Sequence, residues 1–339
     1  MHDRLRIGVV GAGAVIERYH MPAISAVPEV VRTIVVDADG EHARRIADRY
    51  NFPLSSSDLS DLVKNCDAAV VAVPNGQHAA VSCELLAKGV HVLCEKPMAR
   101  NRDECIRMIE ASRRGRAQLC IGHNRRFRQH VELAKKLLDR GFIGEVTKIE
   151  AEEGSPSDWP RSQAYFDPAL SGGGALLDTG IHSIDLIRWL VGEFEDVEYE
   201  GNGTEEWVES EAELRFHLSS GASGKITVSR TRTLLQRLTI TGTEGALEIG
   251  LWEPRLGVRC RKGKAFENFE RLDVAVSRRP PLDPSFVDQL RNFVGAVRGE
   301  GHLLVDGAEG MSAVEVVSRA YRGDASTPLI RARASGERR

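Results

Sequence analysis

Over roughly the first 120 residues, short apolar runs alternate with longer stretches of helical periodicity. Runs such as Val30–Val36 are rich in β-branched residues and predict buried strands. Strands that alternate with helices predict a doubly wound parallel sheet with helices on both faces. The predicted strands are Leu5–Val10, Val30–Val36, Asp67–Val73, Val90–Glu95 and Leu119–Gly122, and the predicted helices are Ala14–Ala26, Glu41–Tyr50, Gln77–Lys88 and Arg102–Arg114.

The pattern changes after about residue 145, where strand-like segments follow one another. Gly221 and the Gly242–Gly245 turn separate them as hairpin turns do, which predicts a large, mostly antiparallel open sheet. One helix, roughly Ala175–Leu190, interrupts these strands, and two later helices, about Pro284–Arg298 and Ala308–Tyr321, are expected to pack back on the first domain. The predicted strands are Val146–Ala151, Ala212–Leu218, Ala222–Ser229, Leu235–Thr241 and Ala246–Leu251.

The chain of 339 residues is long enough for two domains. We predict an α/β fold with the doubly wound parallel sheet in residues 1–122. An α+β domain with the open sheet is expected over residues 123–282, followed by the C-terminal helices over residues 283–325.

Composition argues against several classes of partner. A net charge of −3 leaves no basic excess for a nucleic-acid backbone. No apolar run approaches the roughly 18 residues of a membrane span, and no secretory segment follows Met1. The six cysteines form no CxxC pair, so we expect buried thiols in a reducing, cytoplasmic compartment rather than disulfides or metal ligands.

A glycine-rich turn after the first strand predicts a dinucleotide site. Gly11 can make the tight turn, and Gly13 lets the backbone approach a pyrophosphate. The amides of Ala14 and Val15, at the start of the next helix, then face the phosphates. Ile16 replaces the third glycine of the usual fingerprint, which implies a slightly wider fit of helix and strand. The alternative is a glycine pair that serves only a turn.

Asp37 follows the second strand, where an acidic residue can accept hydrogen bonds from the adenosine ribose hydroxyls. Its charge would repel a 2′-phosphate, so NAD is favoured over NADP. Asp39 is an alternative acid at this place, or the N-cap of the following helix.

Two polar residues follow the third strand. Asn75 could hydrogen-bond the cofactor near its nicotinamide half, or it could cap the next helix. His78 is more typical of a structural histidine than of a functional one in such a helix.

Lys96 follows the buried strand Val90–Glu95, at the carboxyl edge where open α/β sheets bind ligands. A lysine there can donate a hydrogen bond to a substrate oxygen and stabilise its developing negative charge. Glu95 could pair with Lys96 or hold a neighbouring loop, and a cis peptide bond could precede Pro97. The alternative is a surface lysine on a loop.

A second group of candidates lies on the predicted helix Ala175–Leu190. Asp178 and His182 are four residues apart and share a helix face, and a histidine can take a proton from an alcohol near neutral pH. Asp185 could orient His182, and Gly172–Gly174 could let the backbone approach a ligand or the nicotinamide. The alternatives are a metal site, for which a third well-spaced ligand is lacking, and a structural histidine.

These residues resemble the glucose-fructose oxidoreductase, inositol dehydrogenase and rhizopine-catabolism (Gfo/Idh/MocA) family. The most specific part of the resemblance is Glu95-Lys96-Pro97 together with Gly172–Gly174, Asp178, Gly180, His182 and Asp185, and the match extends from Leu5 to about Tyr321. The resemblance implies a Rossmann domain, an α/β domain whose open sheet often forms the interface of a homodimer or homotetramer, and oxidation or reduction of a secondary alcohol.

The resemblance also implies roles for single residues. Lys96, Asp178 and His182 form the catalytic set, with His182 as the acid/base. The residues expected on the cofactor side are Gly11, Gly13, Ala14, Val15, Asp37, Asn75 and Glu95, and those expected near cofactor or substrate are Tyr165, Arg125 and Arg126. No metal is expected.

The resulting hypothesis is an NAD-dependent dehydrogenase of a sugar, cyclitol or sugar derivative, with hydride transfer to nicotinamide C4. One alternative is an NADP(H)-dependent ketoreductase of a modified or nucleotide sugar. Another is a non-catalytic dinucleotide-binding sensor, and a third is an enzyme that retains NAD and recycles it between two substrates.

Overall fold

The computed structural model describes residues 4–156, 166–204, 206–262, 265–272 and 282–323. Within these ranges, no helix is both long enough and apolar enough to cross a membrane.

The chain divides into two compact units. The first is Met1–Phe127 with Ser277–Ser312, and the second is Arg128–Val276 with Ala313–Arg339. The first unit thus extends to Phe127 instead of residue 122, and it includes the first of the two late helices.

A parallel sheet of six strands forms the centre of the first unit, in the order β3-β2-β1-β4-β5-β6. The residues of β4 are all buried, because helices cover both faces of a parallel sheet. Strand order reverses beside β1, and ligands of such sheets bind there at the carboxyl ends of the strands. The strands are β1 Leu5–Val10, β2 Val30–Val36, β3 Leu54–Ser56, β4 Ala68–Val71, β5 His91–Cys94 and β6 Leu119–Ile121.

Helices connect these strands as the sequence predicts, with one additional pair of elements. Strand β3 has only three residues, two of them serine, and lies at the sheet edge, so it gives no apolar run. The helix after it has seven residues and begins at the cap residue Asp58. The helices are α1 Met21–Ala26, α2 Gly40–Tyr50, α3 Leu59–Asn65, α4 Asn75–Ala87 and α5 Arg102–Gly115.

The late helix Pro284–Val297 belongs to the core of the first unit. Asp283 caps it by accepting the amide of Ser285, and Pro284 occupies its first turn. Phe286 and Phe293 pack in the same apolar cluster as β1 and α1, and Phe286 stacks on Tyr19 with ring centroids 4.8 Å apart.

The second unit contains a sheet of eight strands in the order β14-β13-β12-β11-β7-β10-β9-β8, in which only β7 and β10 pair in parallel. The predicted fold class, with a parallel Rossmann sheet and a separate, mostly antiparallel sheet, is therefore confirmed. The strands are β7 Val146–Gly154, β8 Phe194–Gly201, β9 Glu211–Leu218, β10 Ser223–Ser229, β11 Arg237–Gly242, β12 Gly245–Gly250, β13 Leu256–Lys262 and β14 Ala265–Leu272.

Three of these strands lack a clear apolar pattern in the sequence. Strand β8 contains four acidic residues and exposes much of its length, and β13 and β14 also alternate apolar with charged residues. The hairpin turns at Gly221 and at Gly242–Gly245 are confirmed. The remaining helices are α6 Gln129–Asp139, α7 Pro168–Ser171, α8 Ile181–Leu190, α9 Pro284–Val297 and α10 Gly307–Arg322.

The described cysteine side chains are reduced thiols. Cys66, Cys94, Cys105 and Cys120 are buried, Cys83 is partly buried, and none of the five is in a disulfide. Burial raises the pKa of the Cys66 and Cys94 thiols to about 12. These cysteines therefore act as small apolar residues, as the sequence predicts.

Candidate active site

The glycine-rich turn after β1 contains one glycine that the backbone conformation requires and one that faces open space. At Gly11 φ is +85°, and a Cβ would lie 2.6 Å from the carbonyl oxygen of Ala72, so only glycine fits. The Gly11 amide donates to the carbonyl of Val36 at 2.8 Å and fixes the turn to β2. A Cβ at Gly13 would meet no described atom within 4 Å. This open space is what an approaching pyrophosphate needs.

The helix after this turn begins with Ala14 and Val15 and then contains a π-helical turn, Ile16–His20, before α1. Ile16 is fully buried at the position of the third fingerprint glycine. The wider π turn coincides with this larger side chain, and such turns are frequent at functional sites.

Asp37 is tied to the glycine-rich turn. Its Oδ2 accepts the amide of Ala12 at 2.7 Å, and its Oδ1 accepts the amide of Asp39 at 2.9 Å. Asp39 itself accepts the amides of Glu41 and His42 and is the N-cap of α2. The structure therefore gives the capping role to Asp39 and leaves Asp37 next to the turn.

Asn75 and His78 lie on the first turn of α4. Pro74 is the cap residue of this helix, so the capping alternative for Asn75 is wrong. His78 is buried, with Nδ1 2.7 Å from the carbonyl oxygen of Pro97 and Nε2 2.8 Å from that of Val73. Burial lowers its pKa. The structural interpretation of His78 is confirmed, since it holds the backbone that follows Lys96.

Glu95 connects Lys96 with the helix that follows the glycine-rich turn and contains His20 (the fingerprint helix). Its Oε1 lies 2.7 Å from Nε2 of His20, and its Oε2 accepts the amide of Lys96 at 3.1 Å. Both carboxylate and imidazole are buried. Burial alone would raise the pKa of Glu95, but the hydrogen bond and charge of His20, with the charge of Lys96, lower it below its ordinary value.

The Glu95 carboxylate is thus directed at His20 and at its own chain. Its assignment to the cofactor side stays a prediction, and this geometry favours an effect on the cofactor through the fingerprint helix. The Lys96–Pro97 peptide bond is cis, a possibility that the sequence left open.

Asp178 and His182 lie on a helical segment that begins with a second π turn, Leu176–Gly180, and continues as α8. Along residues 175–188, all of them described, the side chains that are not buried are Asp178, Thr179 and His182. The two candidates therefore share the accessible side of a segment that is mostly buried, as their spacing predicts. Asp185 is buried, which favours a structural role for it.

Arg230 is a partner of Asp178 that sequence reasoning missed. Its Nη2 lies 3.3 Å from Oδ2 of Asp178, and the Arg230 and Asp178 side chains are 6% and 24% exposed. Arg230 follows β10 directly, so the sheet fixes its backbone. A nearly buried guanidinium beside a carboxylate limits the directions in which that carboxylate can point.

The triple glycine has neighbours from its own chain. A Cβ at Gly173 would lie 2.6 Å from the ring of Tyr321, and one at Gly174 would lie 2.1 Å from the carbonyl oxygen of Glu209. Gly172 has φ +81°. Tyr321 and Glu209 therefore require the absence of a side chain at Gly173 and Gly174, and the interpretation that these glycines admit a ligand or the nicotinamide stays a prediction.

The other arginine candidates lie in the first unit. Arg125 and Arg126 are buried on a 3₁₀ turn, Asn124–Phe127. The Nη2 of Arg126 pairs with Oε2 of Glu309 at 2.7 Å, so this guanidinium holds α10. Tyr165 lies outside the described residues.

No group of three or more His, Cys, Asp or Glu side chains within the described part of the chain is arranged to hold a metal ion.

Two family models match this chain. One, described as an oxidoreductase family with an NAD-binding Rossmann fold, matches residues 5–123. The other, the GFO/IDH/MocA C-terminal domain, matches residues 131–248. The chain belongs to the Gfo/Idh/MocA oxidoreductase family. Its first domain is the NAD-binding Rossmann domain of that family, and the predictions of an oxidoreductase and of NAD as its cofactor are confirmed.

Curated proteins of the Gfo/Idh/MocA family are similar to this chain in sequence. The chain is 32% identical over 213 residues to a levoglucosan dehydrogenase of Pseudarthrobacter phenanthrenivorans, covering 58% of this chain and 53% of that protein. It is 25% identical over 339 residues to an inositol 2-dehydrogenase of Rhizobium meliloti, covering 96% and 98%. The first match thus spans only about half of its relative, whereas the second spans nearly all of it.

Solved structures of the Gfo/Idh/MocA family share the fold. A levoglucosan dehydrogenase in complex with NADH and levoglucosan superposes with a TM-score of 0.83 at 24% identity, covering 94% of this chain and 97% of that one. At this identity the similarity establishes the fold alone.

The open space at Gly13 gives a prediction for this NAD-binding domain. Gly13→Ala should leave the melting temperature of the apo protein within about 2 °C, because the added methyl meets no described atom. It should weaken NAD binding about tenfold or more, because the methyl occupies the approach of the pyrophosphate. Calorimetry of NAD binding and thermal unfolding measure the two effects. Unchanged NAD affinity would mean that the pyrophosphate does not approach Gly13.

Asp37 gives a second prediction about the cofactor. Asp37→Ala should weaken NAD binding and raise the relative use of NADP, because it removes both a ribose acceptor and a negative charge. Asp39→Ala is the matched control, since it removes an acid that caps α2 and should leave the NAD/NADP ratio unchanged. The ratio of kcat/KM values for the two cofactors is the measurement. An unchanged ratio in Asp37→Ala would locate cofactor selection elsewhere.

Proposed function

We propose that this Gfo/Idh/MocA protein is an NAD-dependent dehydrogenase that oxidises a secondary alcohol of a sugar, a cyclitol or a sugar derivative. The observation that supports this most directly is the position of Lys96, which comes just after β5 at the carboxyl edge of the first sheet. Gly11 after β1, Asp37 after β2 and Asn75 after β4 lie at the same edge. A cationic donor beside a dinucleotide site suits a reaction in which an oxygen gains negative charge.

The residues of this edge fit NAD. Gly13 leaves room for the pyrophosphate, and the amides of Ala14 and Val15 begin the following helix. Each oxygen of Asp37 accepts one backbone amide. A carboxylate has roughly four acceptor sites, so Asp37 can also accept the ribose hydroxyls.

In the proposed reaction, His182 accepts the proton of the substrate hydroxyl while the C–H bond on the same carbon breaks. Lys96 donates a hydrogen bond to the substrate oxygen and stabilises its negative charge. Asp178, held by Arg230, accepts a hydrogen bond from another hydroxyl of the substrate and so limits the orientation of the reacting carbon. NAD, when bound, supplies the hydride acceptor, nicotinamide C4. The oxygen becomes a carbonyl, and the proton stays on His182 until solvent removes it.

The relatives support a carbohydrate-like substrate. Levoglucosan and inositol, which name two of the curated relatives, both carry secondary alcohols on a ring. We therefore place the substrate of this chain in the same chemical class, without choosing one compound.

NADH formation at 340 nm tests this function across a panel of sugars, sugar acids, inositols and amino-cyclitols, with NAD and NADP in parallel. A substrate oxidised with NAD supports the proposal and defines the class. Activity with NADP alone would favour the ketoreductase alternative. No activity with either cofactor, despite NAD binding by calorimetry, would favour the sensor. Absorbance near 340 nm in the purified protein would favour an enzyme that retains and recycles its cofactor.

Two further expectations stay proposals. We propose a homodimer or homotetramer, which light scattering on the purified protein tests. We also propose a cytoplasmic location, which the reduced thiols of the five described cysteines support and which cell fractionation tests.

A further inference from the structure

Glu209 is a buried carboxylate at the start of the helix that presents Asp178 and His182. It is 4% exposed. Its Oε2 accepts the amide of Gly174 at 3.1 Å, and its Oε1 accepts the amide of Leu176 at 2.9 Å. These contacts lie entirely within the second unit.

The backbone of Glu209 completes this cap. Its carbonyl oxygen accepts the amide of Ala175 at 2.9 Å, between the two amides bound by the side chain. The first amides of a helix have no partner inside it, and Ala175 provides no side-chain cap. Glu209 therefore supplies from a distant loop the acceptors that an N-cap residue supplies in most helices, and its charge lies where the helix dipole favours an anion.

Tyr321 holds the carboxylate in place. Its hydroxyl donates to Oε1 of Glu209 at 2.6 Å and accepts the amide of Gly174 at 3.2 Å. Burial, with the negative charge of Glu209, raises the pKa of Tyr321 well above its ordinary value, so the hydroxyl remains a donor. The space for this contact exists because Gly173 and Gly174 have no side chains.

The loop that contains Glu209 supports both Asp178 and its charged partner Arg230. The carbonyl of Gly174, whose amide Glu209 binds, accepts the amide of Asp178 at 3.0 Å. The next loop residue, Ser210, accepts the backbone amide of Arg230 at 2.8 Å, and Arg230 pairs with the Asp178 carboxylate. One short segment thus fixes the backbone of Asp178 and the backbone of its charged partner.

We propose that Glu209, held by Tyr321, is a positioning residue that sets the geometry of Asp178 and His182 for turnover. The inference rests on the proposed dehydrogenase function. A displacement of about 1 Å in a reacting group can reduce the rate about a hundredfold, so a buried cap of this helix affects kcat without touching substrate.

The test compares Glu209→Gln and Tyr321→Phe with Glu198→Gln, in which an exposed glutamate of β8 undergoes the same change. In Glu209→Gln the amide group puts a donor against backbone N–H groups, and kcat should fall about 10- to 100-fold. The KM of the alcohol should change less than about threefold, as expected for a loss of transition-state geometry rather than of binding. Tyr321→Phe keeps the ring and should lower kcat about 3- to 10-fold. Glu198→Gln should match the wild type.

Two additional measurements separate positioning from loss of folding. NAD affinity should stay within about twofold in each variant, because the cofactor residues belong to the other unit. Hydrogen exchange should accelerate in peptides covering residues 174–182 of Glu209→Gln, because one of the two backbone amides bound by the Glu209 carboxylate loses its acceptor. If the wild type oxidises an alcohol and Glu209→Gln and Tyr321→Phe both keep its kcat, this inference is overturned. A wild type that oxidises no alcohol would overturn the proposed function instead, and unchanged exchange at residues 174–182 would then also reject the cap.

Discussion

Replacement of His182 by alanine is expected to lower kcat by about 10²- to 10⁴-fold, the usual contribution of a positioned acid/base. His182 is one of the few side chains of its helix that remain accessible, and the candidate site residue Asp178 lies on the same accessible side. Without the imidazole, the hydroxyl proton must pass directly to water. The loss corresponds to about 3–5 kcal/mol of transition-state stabilisation.

NAD affinity should change little in His182→Ala, because the predicted cofactor residues lie in the first unit. Steady-state kinetics on the best substrate of the panel and calorimetry with NAD provide the two measurements. His217→Ala, on the exposed side of β9, is the matched control. If His182→Ala retains wild-type turnover on a substrate that the wild type oxidises, another group must accept the proton.

The sequence was most informative where burial alone determines the pattern. Strand β4 of the parallel sheet is buried throughout and appears in the sequence as a continuous apolar run, and the carboxyl-terminal halves of β1 and β2 are buried and apolar as well. Turn chemistry identified Gly11, whose positive φ and close approach to Ala72 exclude any side chain. Local patterns of this kind can be read without knowing which distant residues are neighbours.

The sequence was least informative where a partner lies far along the chain. Glu209 is separated from Gly174 by 35 positions, and Glu95 from His20 by 75. No periodicity relates such residues, so neither the cap nor the buried pair could be predicted. The triple glycine shows the consequence, because the sequence indicates a need for space there but not that Tyr321 and Glu209 use it.

The two π-helical turns form an intermediate case. The sequence correctly predicts a helix over both segments, but a π turn differs from an α turn by a single residue and leaves no periodic signature. Both turns occur in the helices that carry candidate site residues, at Ile16–His20 and at Leu176–Gly180. They add a local reason to assign function to these two helices.

Lys96→Met is expected to reduce kcat as severely as the loss of His182, by about 10²- to 10⁴-fold. Methionine is an unbranched side chain only one atom shorter than lysine, but it has neither charge nor donor, so it cannot stabilise an oxygen that gains negative charge. The backbone of Lys96 should keep its position, because Glu95 accepts its amide and His78 lies against the carbonyl of Pro97. Lys88→Met, at an exposed lysine after α4, controls for the chemical change.

The double variant Lys96→Met/His182→Ala tests whether the two residues act in the same step. Groups that act on one substrate oxygen lose their effects together, so the double variant should be about as slow as the slower single variant. Independent groups would instead multiply their losses, to about 10⁴-fold or more. Multiplied losses would therefore separate the two roles, and wild-type turnover in Lys96→Met alone would remove the lysine from the catalytic set. A double variant no slower than the slower single variant would show that Lys96 and His182 act in the same step.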